Sequence, residues 1–248
     1  MLHTYGMVAL IDGLSIEITI KGSVVGDEKN IKVFIVLDNI RHMCELDALE
    51  ACCIYVYIWR LYKECKKTSL LKKFKFVDPY SMSHDLKVDS AKKARILASR
   101  MCGTLTNQFL LMPCNVGWHW ILLVIDPHND TTYVLDPLKE DRHFTEIKIV
   151  TETAIKMFNK NIGKRGRQSH AWEVIKCHQQ PHGSVQCGFY IMRYMKDIIE
   201  NYGCDRSKPI SSLFVEGFYS EEEINEVREE WVEFVYRFVH KNDDEGSS

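Results

Sequence analysis

The chain has 248 residues, a net charge of −2, 46% hydrophobic residues and 27% charged residues. That suits one large globular domain with appendages, and it supplies no global basic field for nucleic acid. Nine cysteines without paired spacing argue against a disulfide framework and for a reducing compartment, nucleus or cytoplasm. The longest apolar stretch, residues 51–59, ends at Arg60, far short of the roughly 20 residues that a bilayer requires. The first thirty residues hold no basic segment followed by an apolar block, so neither a membrane span nor a secretory signal is expected.

In chain order, residues 1–40 carry strand-like pieces such as 14–20, split by Gly22 and the polar run 26–30. They read as an edge extension of one main domain over 41–240, with 241–248 as a polar tail. Leu46, Leu49, Cys53, Val56 and Leu61 recur at helical spacing and predict a buried helix over 46–64. A second helix fits 90–101, closed by Gly103. The period then changes to short strands at 109–112, 120–125, 132–135 and 172–176, with 126–130 as the turn of an antiparallel hairpin. A helix over 144–159 and a loop over 163–170 precede the last of these strands. The spacing of Phe189, Met192, Met195, Ile199 and Tyr202 predicts a helix over 188–202 that stops at Gly203. A final helix starts at Ser220, whose pairing with Glu223 forms a capping box, and buries Ile224, Val227, Trp231, Phe234 and Phe238. The sum is an α+β fold, a mixed central sheet flanked by helices.

Cys187 follows the tight segment 181–186 and opens a predicted helix. The partial positive charge of a helix N-terminus favours a thiolate nucleophile, and Gly188 leaves room for a bound carbonyl to approach the backbone. A cysteine before a helix is more often a buried structural residue, so the case needs a base. His119 begins the strand at 120–125. Asp126 lies seven residues along the same strand, about 23 Å away at roughly 3.3 Å per residue, and cannot orient the imidazole. Asp136 lies beyond the hairpin. With the turn centred near His128 and Asn129, Asp136 falls opposite Ile121 and on the face of His119, so the two side chains can meet diagonally. A one-residue slip would separate them. The alternative is a strand-edge histidine and an aspartate capping a proline-containing turn, and spacing alone leaves both readings open.

Three motifs together are specific: Gly117-Trp118-His119-Trp120, then Val134-Leu135-Asp136-Pro137, then Gln180-Pro181-His182-Gly183-Ser184-Val185-Gln186-Cys187-Gly188. They resemble the ubiquitin-like-protein protease family, the SUMO-processing cysteine peptidases related to the adenoviral protease, with the same order of His, Asp, Gln and Cys. The resemblance covers residues 40–238 and is strongest over 115–194; segments 189–197 and 221–238 look similar to transposon-derived members. It implies a catalytic set of His119, Asp136 and Cys187. The Gln180 side-chain amide and the Cys187 backbone amide would form an oxyanion hole. Trp120 would pack beside the histidine and line a narrow channel for a diglycine tail; its alternative is a core aromatic. The implied partner is a protein substrate, a ubiquitin-like modifier such as SUMO or its conjugate, cut at a peptide or isopeptide bond without metal or cofactor.

Two features depart from that pattern. The segment from Gln180 to Cys187 is one residue longer, with His182 as the insertion and Gln179 as the alternative amide donor. Glu45 stands where characterised SUMO proteases carry a tryptophan roofing the channel. The rival reading is therefore a degenerate peptidase fold that binds a ubiquitin-like protein without cutting it. A zinc site of Cys177, His178, His182 and Cys187 lacks paired ligand spacing and consumes the nucleophile. The basic loop of Lys160, Lys164, Arg165 and Arg167 reads as solvated rather than as a nucleic-acid contact. Cys52 and Cys53 read as small buried hydrophobes.

Overall fold

The computed structural model describes residues 15–83, 89–138, 144–164, 169–202 and 209–244. The strand start at Leu14, the helix stop at Gly203, the basic residues Arg165 and Arg167, and the tail beyond Asp244 lie outside the described residues.

The described chain opens with β1 (Ile16–Ile20) and β2 (Ile31–Ile35), followed by α1 (Leu37–Glu45), α2 (Ala51–Lys67), β3 (Phe74–Phe76) and α3 (Ser90–Met101). Next come β4 (Phe109–Asn115), β5 (Trp120–Asp126), β6 (Thr131–Leu135), α4 (Thr145–Asn161) and β7 (Ala171–Val174). The chain ends with α5 (Cys187–Asp197), a π-helical turn (Ile198–Tyr202) and α6 (Glu221–Asp244). The main sheet has the order β3-β4-β5-β6-β7. Its centre is antiparallel, while β3 joins β4 and β7 joins β6 in parallel.

Period-two alternation divides the sheet between two cores. Phe109, Leu111, Trp120, Leu122, Val124 and Leu135 face one side, where buried residues of α2, α5 and α6 pack. Leu110, Met112, Cys114, Ile121, Leu123 and Ile125 face the other, beneath Leu97, Met101, Val150 and Phe158 of α3 and α4. The sheet is buried on both faces, as helices on each side require.

The structure differs from the expected elements at several places, beginning with α1, which the sequence spacing did not predict, and the π-helical turn that replaces the last residues of the helix expected over 188–202. Residues 46–64 are not one helix: Leu46 adopts a left-handed conformation (φ 58°) and closes α1, so Leu46 to Glu50 form a link before α2. The three residues of β3 are too few to show a period, and only the parallel partner β4 makes them a strand. The hairpin β1–β2 does not extend the edge of the main sheet; it is a separate two-stranded sheet whose Ile18, Ile20, Val33 and Ile35 enter the larger core. The last helix begins as its capping box directs. The Ser220 N–H donates to Glu223 Oε2 at 2.7 Å, and the Glu223 N–H donates to Ser220 Oγ at 3.2 Å.

Candidate active site

The link between β4 and β5 delivers the histidine. Gly117 (φ 88°) and Trp118 (φ 63°) both lie in the left-handed region, and the Val116 N–H donates to His119 O at 2.8 Å. This is a primed two-residue turn, the type that matches strand twist. It leaves His119 buried at the start of β5 and Trp118 93% exposed.

The return strand delivers the aspartate. Leu122 pairs with Leu135, so Asp136, the next residue, falls opposite Ile121. At the far end of β5, Asp126 anchors the turn instead: Asn129 donates its N–H to Oδ1 at 3.2 Å and its side-chain amide to Oδ2 at 2.8 Å. His119 Nε2 lies 2.7 Å from Asp136 Oδ1, and the same oxygen accepts the Leu138 N–H at 2.9 Å. The carboxylate is thus held by its own turn before it holds the ring.

Cys187 is the first residue of α5 and is buried. Burial disfavours the charged form of His119, yet hydrogen bonds to Asp136 and Cys187 and the charges on both raise its pKa to about 9. Because Nε2 serves Asp136, Nδ1 is the nitrogen left for the thiol. The second cysteine nearby is differently placed: Cys177 Sγ donates to Asp136 O at 3.4 Å, and burial pushes its thiol up to about 11. Such a thiol is a poor nucleophile at neutral pH.

The two adjacent glutamines separate by their partners. Gln179 gives its side-chain amide to Asp136 O at 3.1 Å and to Cys177 O at 3.0 Å, which engages both of its N–H bonds. Gln180 is buried; its backbone N–H donates to Pro137 O at 2.8 Å and its Nε2 to Ser184 O at 2.6 Å. One amide hydrogen of Gln180 remains uncommitted. The longer loop is carried by an outward turn in which the Ser184 N–H donates to Pro181 O at 3.0 Å, with Gly183 at φ 76° and His182 exposed.

Trp120 is buried and donates its indole N–H to Leu49 O at 2.9 Å. Leu49 also covers Gly188: a Cβ added there would lie 2.8 Å from Leu49 Cβ. The absence of a side chain at Gly188 is therefore used by Leu49 packing. Leu49 was legible in the sequence only as a helix-face residue, while Glu45, at the position where the family resemblance implies a roof tryptophan, is exposed at the end of α1.

Among the described residues no group of three or more His, Cys, Asp or Glu is placed to hold a metal ion, and no helix is long and apolar enough to cross a membrane. Cys52 and Cys53 are buried. Lys164 of the basic loop is taken up by His128 O at 3.0 Å and by Asp130.

A histidine and an aspartate on neighbouring antiparallel strands, with a cysteine opening the helix packed over them, define the class: this is a cysteine peptidase. The chain belongs to the Ulp1 protease family, whose C-terminal catalytic domain matches residues 64–235. Solved structures share the fold. A de-sumoylating protease superposes with a TM-score of 0.64 at 13% identity, covering 94% of each chain. The yeast Ulp1 protease domain, solved in complex with SMT3, the yeast ortholog of SUMO, gives 0.60 at 14% identity, over 96% of this chain and 94% of that one. The Xanthomonas campestris effector XopD, solved bound to ubiquitin, gives 0.53 at 13% identity, over 75% of this chain and 91% of that one. No curated protein sequence matches this chain.

Proposed function

We propose that this chain hydrolyses a peptide or isopeptide bond at the C-terminus of a ubiquitin-like modifier. The observation that carries the reading is the His119 imidazole set between Asp136 at 2.7 Å and Cys187. Its raised pKa keeps the ring protonated at neutral pH, which suits an ion pair with the Cys187 thiolate. The sulfur attacks the carbonyl carbon, and the oxyanion takes hydrogen bonds from the Cys187 backbone N–H and the uncommitted Gln180 amide hydrogen. His119 gives its proton to the leaving amine as the C–N bond breaks, leaving a thioester. A water then loses a proton to His119 and attacks the thioester, releasing a carboxylic acid that ionises to solvent and restoring the Cys187 thiolate beside the His119 imidazolium. Asp136 holds the ring and supports its positive charge.

The modifier is read from relatives: one was solved with the yeast ortholog of SUMO and another with ubiquitin. The eight described cysteines are free thiols, in keeping with the nucleus or cytoplasm. The catalytic unit is residues 41–240.

A binder without turnover is the second reading, and the 2.6 Å bond from Gln180 Nε2 to Ser184 O favours it, since that amide is partly spent before substrate arrives. SUMO and ubiquitin probes with C-terminal electrophiles separate the two. An adduct lost in both Cys187→Ser and His119→Ala supports the peptidase. Non-covalent capture of a modifier with no adduct supports the binder, and unchanged turnover in Cys187→Ser would sink the mechanism.

A further inference from the structure

Asp136 stands just past the support of its own sheet. The last pair between β5 and β6 joins Leu122 to Leu135. On the other side, the Ile175 N–H donates to Val134 O at 2.9 Å. In a continued parallel ladder the next rung would run from the Cys177 N–H to Asp136 O. Side chains take its place: Asp136 O accepts from Gln179 Nε2 at 3.1 Å and from Cys177 Sγ at 3.4 Å. Pro137 follows and has no N–H to offer.

Gln179 is itself firmly anchored. Its second amide hydrogen goes to Cys177 O at 3.0 Å, and its backbone N–H donates to Gly217 O at 2.7 Å. Two carbonyl oxygens around Nε2 fix which end of the amide faces Asp136, because the opposite orientation would set oxygen against oxygen. Gln179 and Gln180 border a cleft of about 560 Å³ shared with Glu216 and Phe218, yet Gln179 Oε1 is closed off from water without a partner. A buried acceptor without a donor is a cost. An apolar side chain of similar length would avoid it but could not supply the two N–H bonds. The next residue extends the grip, since the Gln180 N–H donates to Pro137 O at 2.8 Å.

We propose that Gln179 is a positioning residue: its amide replaces the missing rung and fixes the Asp136 main chain, so that the carboxylate meets His119. The placement rests on the hydrogen bonds alone, and its part in turnover rests on the peptidase reading.

The test therefore has one arm that needs no substrate. The His119 ring is titrated by NMR in the full, reduced chain and assigned by its loss in His119→Ala. Wild type should titrate near 9, and Gln179→Met about one pH unit lower, as the carboxylate drifts from the ring. A merely structural loss would lower the melting temperature without moving the titration of the folded ring. Turnover of a modifier substrate at neutral pH should show kcat reduced about 10–100-fold in Gln179→Met, with KM held within about twofold. Gln180→Met, which leaves Asp136 O with both donors, should lower kcat but keep the wild-type titration. Should Gln179→Met not fold, Gln179→Asn, whose amide sits one carbon short, is read in the same way. A folded Gln179 variant whose ring titrates with wild type overturns the proposal, whatever its kcat. If wild type turns over no modifier and forms no adduct, the peptidase reading fails, while the titration still decides whether Gln179 holds Asp136.

Discussion

His119 Nε2 and Asp136 Oδ1 lie 2.7 Å apart across 17 residues of sequence, and the register of β5 against β6 brings them together. With Cys187 as a third member, the contact raises the His119 pKa to about 9 despite burial. We expect kcat/KM to hold through neutral pH and to fall above about pH 9 as the imidazolium loses its proton. Asp136→Asn removes the largest favourable contribution, so this alkaline limb should move to lower pH, with kcat reduced by about 10²–10⁴-fold. A pH–rate profile of both proteins decides it; an unmoved limb would remove Asp136 from this role.

The same shift links stability to pH. A histidine whose pKa is higher in the folded chain stabilises it fully below the unfolded value of about 6.5, and the contribution is lost as pH rises through about 9. The stability difference between wild type and His119→Ala should therefore be larger at pH 6 than at pH 10, by on the order of 2–3 kcal/mol. Urea unfolding at the two pH values measures it, and a gap that does not change with pH would contradict the linkage.

Leu49 and Gly188 leave no room for a methyl group between them, with Leu49 Cβ at 2.8 Å and Cδ1 at 3.1 Å from an added Cβ. Gly188→Ala should cost about 1–2 kcal/mol and disturb the Trp120 hydrogen bond to Leu49 O. Leu49→Ala in the same chain should restore part of the loss. A double-mutant cycle reports the coupling, expected at about 0.5–2 kcal/mol; strict additivity would show that the two residues do not press on each other.

Trp118 sits at φ 63° and is 93% exposed, so its side chain gains little from the fold while its backbone is strained. Trp118→Asn suits the left-handed turn better and should raise stability by about 1 kcal/mol. Chemical unfolding tests this, and a loss of stability would mean that the indole has packing value the exposure does not show.

Much of this arrangement was legible before folding. The alternation of residues 120–125 and 132–135 and the polar turn between them specify which residues face each other, because a hairpin register follows from strand period and turn position. The geometric exclusion of Asp126 required only the rise of a strand. Helix 90–101 and the Ser220 capping box were equally local. By contrast, the break at Leu46 hides inside a continuous helical spacing, since a left-handed residue other than glycine carries no compositional mark.

The choice between Gln179 and Gln180 shows where sequence stops. Both carry the same amide, and only the carbonyl of Asp136, at the neighbouring strand end, together with that of Cys177 two residues earlier, occupies Gln179 and leaves a hydrogen on Gln180. Phe218 and Glu216 reach the same cleft from a segment more than thirty residues away. The sequence by itself determined the residue types, the hairpin register and the helix that presents Cys187, because these depend on short-range periodicity and capping. Only the tertiary structure decided which amide keeps an uncommitted hydrogen, that Leu49 covers Gly188, and that Glu216 and Phe218 share a cleft with Gln180. Those outcomes depend on packing between distant segments, and no local pattern encodes it.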